Sequence, residues 1–153
     1  MAIIRIGRNL GAPNPGAPNP GAPGLTRSSM VVCRDGIARI VATAAKPYDA
    51  RADARTQAAQ ALALVDERLA LAGSDRSRII IAQVLVSDMR HFAGLNLAWD
   101  AWVDQAHPPC RYCCEARLGH PDLKIEIIIE AECDMAVAAR SAARFEAARL
   151  EAT

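Results

Sequence analysis

Arg111 and Glu126 stand fifteen positions apart in the second half of the chain. Arg111 lies in Cys110-Arg111-Tyr112-Cys113-Cys114-Glu115-Ala116-Arg117-Leu118, and Glu126 in Lys124-Ile125-Glu126-Ile127-Ile128. A guanidinium presents a planar fork of donors matched to a carboxylate. A carboxylate and a thiol beside it could act as general acid/base and polar contact. If both runs are strands, alternation puts Arg111, Cys113, Glu115 and Arg117 on one face, and Glu126, Ile128 and Glu130 on one face of the next. A turn centred between His120 and Pro121 then makes a hairpin with Glu115 opposite Glu126. A slip of one residue moves Glu126 to the other face. Each residue also has a structural role open to it. Arg111 can pair with Glu130 or Glu115, Cys113 can fill core space as most buried cysteines do, and Glu126 can be an ion-pair member.

Cys110, Cys113 and Cys114 raise the question of a metal. A C-x-x-C pair needs a knuckle turn and a second ligand pair. Here it sits in a strand-like run, Cys33 and Cys133 are isolated, and His107 and His120 fit no standard spacing. No metal and no cofactor are expected. The sequence contains no Ser-His-Asp arrangement, phosphate loop or nucleotide fingerprint.

The elements that must position these residues come from a chain of 153 residues and 16.3 kDa, the size of one domain. Apolar residues make up 52% and charged ones 23%, enough for a packed core. Lys and Arg number 18 against 17 Asp and Glu, so no excess charge favours nucleic acid or an anionic membrane. The apolar runs are far shorter than the ~20 residues of a membrane span. The N-terminus lacks the long apolar stretch of a secretory signal, and five cysteines do not form a secreted disulfide framework. A cytoplasmic protein with reduced thiols is expected.

Residues 1–24 read as an N-terminal arm. Ile3-Ile4-Arg5-Ile6 is a short strand, and Gly-Ala-Pro-Asn-Pro repeats through 11–24 as an extended loop. Met30 to Cys33 and Ile37 to Ala42 are strands around an Asp35-Gly36 hairpin turn. A helix from about Asp53 to Ala72 buries Leu62, Val65, Leu69 and Ala72 and turns Asp66, Glu67 and Arg68 largely to solvent. Gly73 stops it. Arg78 to Val86 reads as a central strand with both faces covered. Ser87-Asp88 caps a second helix, Met89 to Val103, whose stripe of Phe92, Leu95, Trp99 and Trp102 reads as core. The strands Cys110 to Leu118 and Lys124 to Glu132 follow. The segment 133–153 is a helical extension with a stripe of Val137, Phe145 and Leu150. The order predicts an α+β fold: a mostly antiparallel sheet with two helices packed on one face, and an open face that oligomerisation would cover.

Residues 57–131 resemble the reactive intermediate deaminase family (Rid, also called RidA or YjgF), and with the N-terminal hairpin the likeness covers about 25–132. Gln57 matches the family's helix start, and Leu71-Ala72-Gly73-Ser74 its helix end. Val84-Leu85-Val86-Ser87-Asp88-Met89-Arg90-His91-Phe92-Ala93-Gly94-Leu95-Asn96 is similar to its v-y-l-x-D-m-x-x-F-a-x-x-N signature. Pro109-Cys110-Arg111 resembles its P-A-R, and Ile125-Glu126-Ile127 its V-E-I.

The resemblance implies a chorismate-mutase-like homotrimer with active sites in clefts between subunits. It implies hydrolysis of a reactive enamine or imine to a 2-keto acid and ammonia, with no cofactor or metal. In that scheme Arg111 clamps the substrate carboxylate, and Glu126 activates water and shuttles protons. Cys113 lines the pocket, and Asn96 lies near it. The family usually has Ser-Gly-Gln or Ala-Gly-Gln where this chain has Ala42-Thr43, so these two residues border the substrate. That departure, Tyr112, Cys114 and the two added ends point to a larger or specialised substrate. They also leave open another reaction in the same cleft, such as tautomerisation, cyclisation or N-heterocycle hydrolysis, or a non-catalytic ligand-binding trimer.

Overall fold

The Asp35-Gly36 turn sets the first register. Asp35 has φ 54° and Gly36 φ 77°, the positive pair that a two-residue hairpin loop needs. It joins β2 (Thr26–Arg34) to β3 (Ile37–Thr43), with Cys33 opposite Ala38 and Val31 opposite Ile40. The N-terminal isoleucine run is a full strand, β1 (Ile4–Leu10), antiparallel to β2. The computed structural model describes residues 2–10 and 26–151, and the proline repeat lies outside the described residues.

Helix α1 (Ala54–Leu71) starts where Asp53 accepts a 2.8 Å hydrogen bond from the Thr56 amide, and it ends before Gly73 at φ +65°. Leu62, Val65, Leu69 and Ala72 are buried, as their spacing predicts. Arg68 corrects the expectation of a solvent-facing side chain. It is buried, because it falls three residues after Val65 and four before Ala72, on the same stripe. Its Nη1 donates to the Val41 carbonyl.

After α1 come β4 (Ile79–Val86), α2 (Phe92–Trp102), β5 (Cys110–Glu115), β6 (Ile125–Glu132) and α3 (Met135–Glu151). The six strands lie in the order β1-β2-β3-β6-β4-β5. Every neighbouring pair is antiparallel except β4 and β5, which run parallel with α2 as the crossover between them.

That topology corrects the expected hairpin. β5 and β6 are not neighbours: β6 lies between β3 and β4, and β5 takes the outer edge beyond β4. Glu115 is therefore opposite Val86, and Glu126 lies between Thr43 and Leu85. A short Pro-containing link between two strand-like runs looks like a hairpin in sequence. The central place instead goes to β6, whose inward residues Ile125, Ile127, Ile129 and Ala131 are all fully buried beneath the helices.

One sheet face carries the core. Ile40, Leu62, Leu69, Leu95, Ile125, Ile127 and Ile129 pack there under α1 and α2. The other face is open in a single chain. β4 shows this against the expectation of two covered faces: Ala82, Val84 and Val86 are buried, whereas Gln83 and Leu85 are half-exposed. α3 packs against β1, and the residues it buries are Ala138 and Ser141 and not the expected stripe. Val137 meets the end of α1 at Gly73, while Phe145 and Leu150 lie further along the helix and are exposed.

Candidate active site

The parallel register sets Arg111 beside Ala82 and Cys113 beside Val84, on the helix-covered face. Arg111 therefore meets α2. Its Nη2 donates a 2.7 Å hydrogen bond to Asn96 Oδ1. Trp99 is three residues beyond Asn96 and Phe92 four before it, so all three share one side of the helix. The guanidinium carbon lies 5.0 Å from the Trp99 ring and 6.0 Å from that of Phe92. Such a cation over a ring is attracted to its negative face by about 0.5–2 kcal/mol.

Both carboxylates that the sequence offered to Arg111 are engaged elsewhere. Glu130 pairs with Arg39 at 3.0 Å, and Glu115 accepts the Met89 amide at 3.0 Å. Among the described residues no carboxylate forms an ion pair with Arg111. A guanidinium has five N–H donors, so most of this one remains available in a fixed plane.

Cys113 is half-buried two residues along the same face. Burial pushes its thiol up in pKa, against the pull of Arg111. It is a neutral, weakly polar wall and not a thiolate. Cys33 and Cys133, isolated in the sequence, sit side by side. Burial first, then Cys133, pushes Cys33 up to about 12. Among the described residues no group of three metal-ligating side chains exists.

Glu126 and Thr43 occupy the opposite, open face as direct cross-strand partners. The half-buried Glu126 carboxylate makes no hydrogen bond or ion pair among the described residues. Thr43 Oγ1 lies 3.3 Å from the hydroxyl of Tyr48, in the loop after β3. Tyr48 meets the His120 ring edge-on at 5.0 Å. Ala42 is 1% exposed, with its methyl in the core. The structure thus makes two groups from the expected residues: Arg111, Cys113 and Asn96 on one face, Glu126 and Thr43 on the other. Ala42 joins neither by its side chain.

Three contributors were given no part in the site by sequence reasoning. Phe92 and Trp99 read as core, although their helical spacing from Asn96 is the signal that would have placed them beside Arg111. The third is Gln57, fully buried on α1. Its Nε2 donates to the carbonyls of Asp122 at 2.8 Å and Asp49 at 3.3 Å, and its Oε1 accepts the Lys124 amide at 2.8 Å. One amide thereby ties the loop bearing Tyr48 to the segment that enters β6 just before Glu126.

A separate cleft of about 640 Å³ borders Asp66, Arg76 and Trp102. There Arg76, Asp66 and Trp102 bond to one another, while the buried Ser74 Oγ on the same lining has no hydrogen-bond partner among the described residues. Arg76 holds both Asp66 oxygens at 2.9 and 2.7 Å, and the Trp102 indole donates to Asp66 at 3.0 Å. The trio is a latch between α1 and α2.

Residues 33–133 match the family model described as Endoribonuclease L-PSP. The chain belongs to the Rid/YjgF family. It is 46% identical over 81 residues to a RutC family protein of Haemophilus influenzae, covering 53% of this chain and 70% of that one. It is 39% identical over 105 residues to a RutC family protein of Haemophilus ducreyi, covering 69% and 88%. A crystal structure of a YjgF family member from Neisseria meningitidis superposes with a TM-score of 0.70 at 30% identity, covering 88% of this chain and 97% of that one. The mixed sheet with three helices of this chain matches the fold of its YjgF neighbours. No helix among the described residues is long and apolar enough to cross a membrane.

Proposed function

We propose that this Rid/YjgF chain hydrolyses a carboxylate-bearing imine or enamine to a keto acid and ammonia. The observation that carries the reading is Arg111. It is half-buried, held by Asn96 and two aromatic rings, and without a carboxylate partner among the described residues. A preset guanidinium of this kind suits bidentate capture of a substrate carboxylate. The chemistry then needs little else, because an imine carbon is already electrophilic. Glu126 takes a proton from water as the oxygen attacks, and returns a proton to nitrogen as the carbon–nitrogen bond breaks. The balance is imine plus water giving ketone plus ammonia.

Arg111 and Glu126 lie on opposite faces of one sheet. We therefore build the site between protomers, with Arg111 of one chain and Glu126 of its neighbour, in a homotrimer. The open face supports this. Val41, Ile128, Gln83 and Tyr112 form one cross-strand row, with Val41 and Tyr112 46% and 47% exposed, a mainly apolar surface with one amide that suits a second copy. We place the protein in the cytoplasm, where its five free cysteines stay reduced. A formal charge of +1, with Arg39 already paired to Glu130, gives RNA little to bind.

The test is ammonia release from freshly generated 2-aminoacrylate and bulkier imino acids, with light scattering to count protomers. Arg111→Ala and Glu126→Gln should each abolish release while the trimer persists. Near-normal turnover by either variant, or a stable active monomer, would overturn the reading.

A further inference from the structure

The open-face end of the sheet holds a second polar group beside Glu126, made by residues that do no acid–base work in the scheme above. Thr43 is the cross-strand neighbour of Glu126, a placement that brings Cβ atoms within ~4.5–5.5 Å. Its hydroxyl donates to the Ala44 carbonyl at 3.3 Å. That donation leaves the 3.3 Å contact between Thr43 and Tyr48 to be filled by the Tyr48 proton. Each hydroxyl has one proton and two lone pairs. Both protons are thus committed, and what the pair offers a ligand is acceptor oxygen.

The pair is also held in place. The Tyr48 ring is fixed edge-on by His120 at 5.0 Å, and Lys46 Nζ lies 5.8 Å over it. Gln57 ties the backbone at Asp49, the next residue, to Asp122. Tyr48 is half-buried, so its oxygen is partly desolvated and an unmatched ligand group beside it is penalised.

We infer that the Thr43–Tyr48 hydroxyl pair selects substrates whose side chain carries a hydrogen-bond donor. A hydroxyl or amide side chain would donate to the Tyr48 oxygen while the Glu126 carboxylate addresses the imine nitrogen. An aliphatic side chain of the same size would leave that oxygen dry and unpaired. The inference rests on the deaminase reading of the site and specifies its substrate class.

The experiment compares two nearly isosteric imino acids, made in situ from homoserine and norvaline by an amino-acid oxidase. It also measures calorimetric binding of the matching 2-oxo acids, 4-hydroxy-2-oxobutanoate and 2-oxopentanoate. The wild type should favour the hydroxylated member in both assays. In Tyr48→Phe the ratio of kcat/KM between the two should fall about fivefold, the worth of one hydrogen bond, and the ratio of binding constants should fall alike. Thr43→Val should keep the preference for the hydroxylated member, because the Tyr48 oxygen still accepts and its freed proton has a hydroxyl to donate to. A wild type without preference, or a Tyr48→Phe variant that slows both substrates equally, would overturn the inference. Absent turnover with an intact binding preference would remove the deaminase reading and leave the selectivity standing. Loss of both would remove both.

Discussion

Asn96 Oδ1 accepts a 2.7 Å hydrogen bond from Arg111 Nη2, tying helix α2 to the edge strand β5. An amide was placed here and not a carboxylate. Asn96 orients the guanidinium without neutralising it, and Trp99 at 5.0 Å fixes the plane in which it lies. The positive charge stays without a carboxylate partner among the described residues.

This arrangement gives a paired expectation. Asn96→Leu should raise the KM for a carboxylate substrate about tenfold, because the guanidinium must then be ordered on binding. Asn96→Asp keeps the acceptor but supplies the negative charge that the ligand brings, so it should weaken binding further. Steady-state kinetics decide it, and an Asp variant that binds better than the Leu variant would mean that Arg111 does not meet the carboxylate.

Gln57→Leu should destabilise the protein by about 3 kcal/mol. It preserves volume but leaves the Asp122 carbonyl and the Lys124 amide without their buried partner. Urea denaturation measures the loss. A change below about 1 kcal/mol would show that water replaces the amide, since net hydrogen-bond contributions are of that order.

Gly73→Ala tests the seam between α1 and α3. At φ +65° a Cβ would sit 2.7 Å from Val137 Cβ and 2.9 Å from Asp134 Cβ, at the start of α3. Backbone strain and overlap together should cost about 2–3 kcal/mol and lower Tm by several degrees. An unchanged Tm would mean that α3 is not seated on this turn.

Asp88 gives a pH dependence with a definite sign. Hydrogen bonds from the Arg90 side chain and from its backbone amide hold the Asp88 carboxyl at about 2, against an ordinary 3.8. A depressed carboxyl stabilises the fold above its ordinary pKa, and that contribution disappears as pH falls through the depressed value. Between those limits the wild type should lose more stability than Asp88→Asn. Carboxyl-carbon NMR should place the Asp88 midpoint near the lower one, and a midpoint at the ordinary value would remove the effect.

Local chemistry made much of this protein legible from its residues alone. The Asp35-Gly36 turn, the Gly73 stop and the buried stripe from Leu62 to Ala72 each follow from interactions within a few positions. The motifs around Asp88, Asn96, Arg111 and Glu126 likewise identify the family, because residue types and spacing survive in sequence. Tertiary structure alone decided which strands are neighbours. Pairing of β6 with β3 and β4, and of β5 with β4, depends on backbone partners far apart in the chain and on burying an isoleucine-rich strand beneath the helices. That choice put Arg111 and Glu126 on opposite faces and gave Arg111 its aromatic cradle. A one-residue shift in register reverses the face of every side chain, and no local propensity distinguishes the two registers.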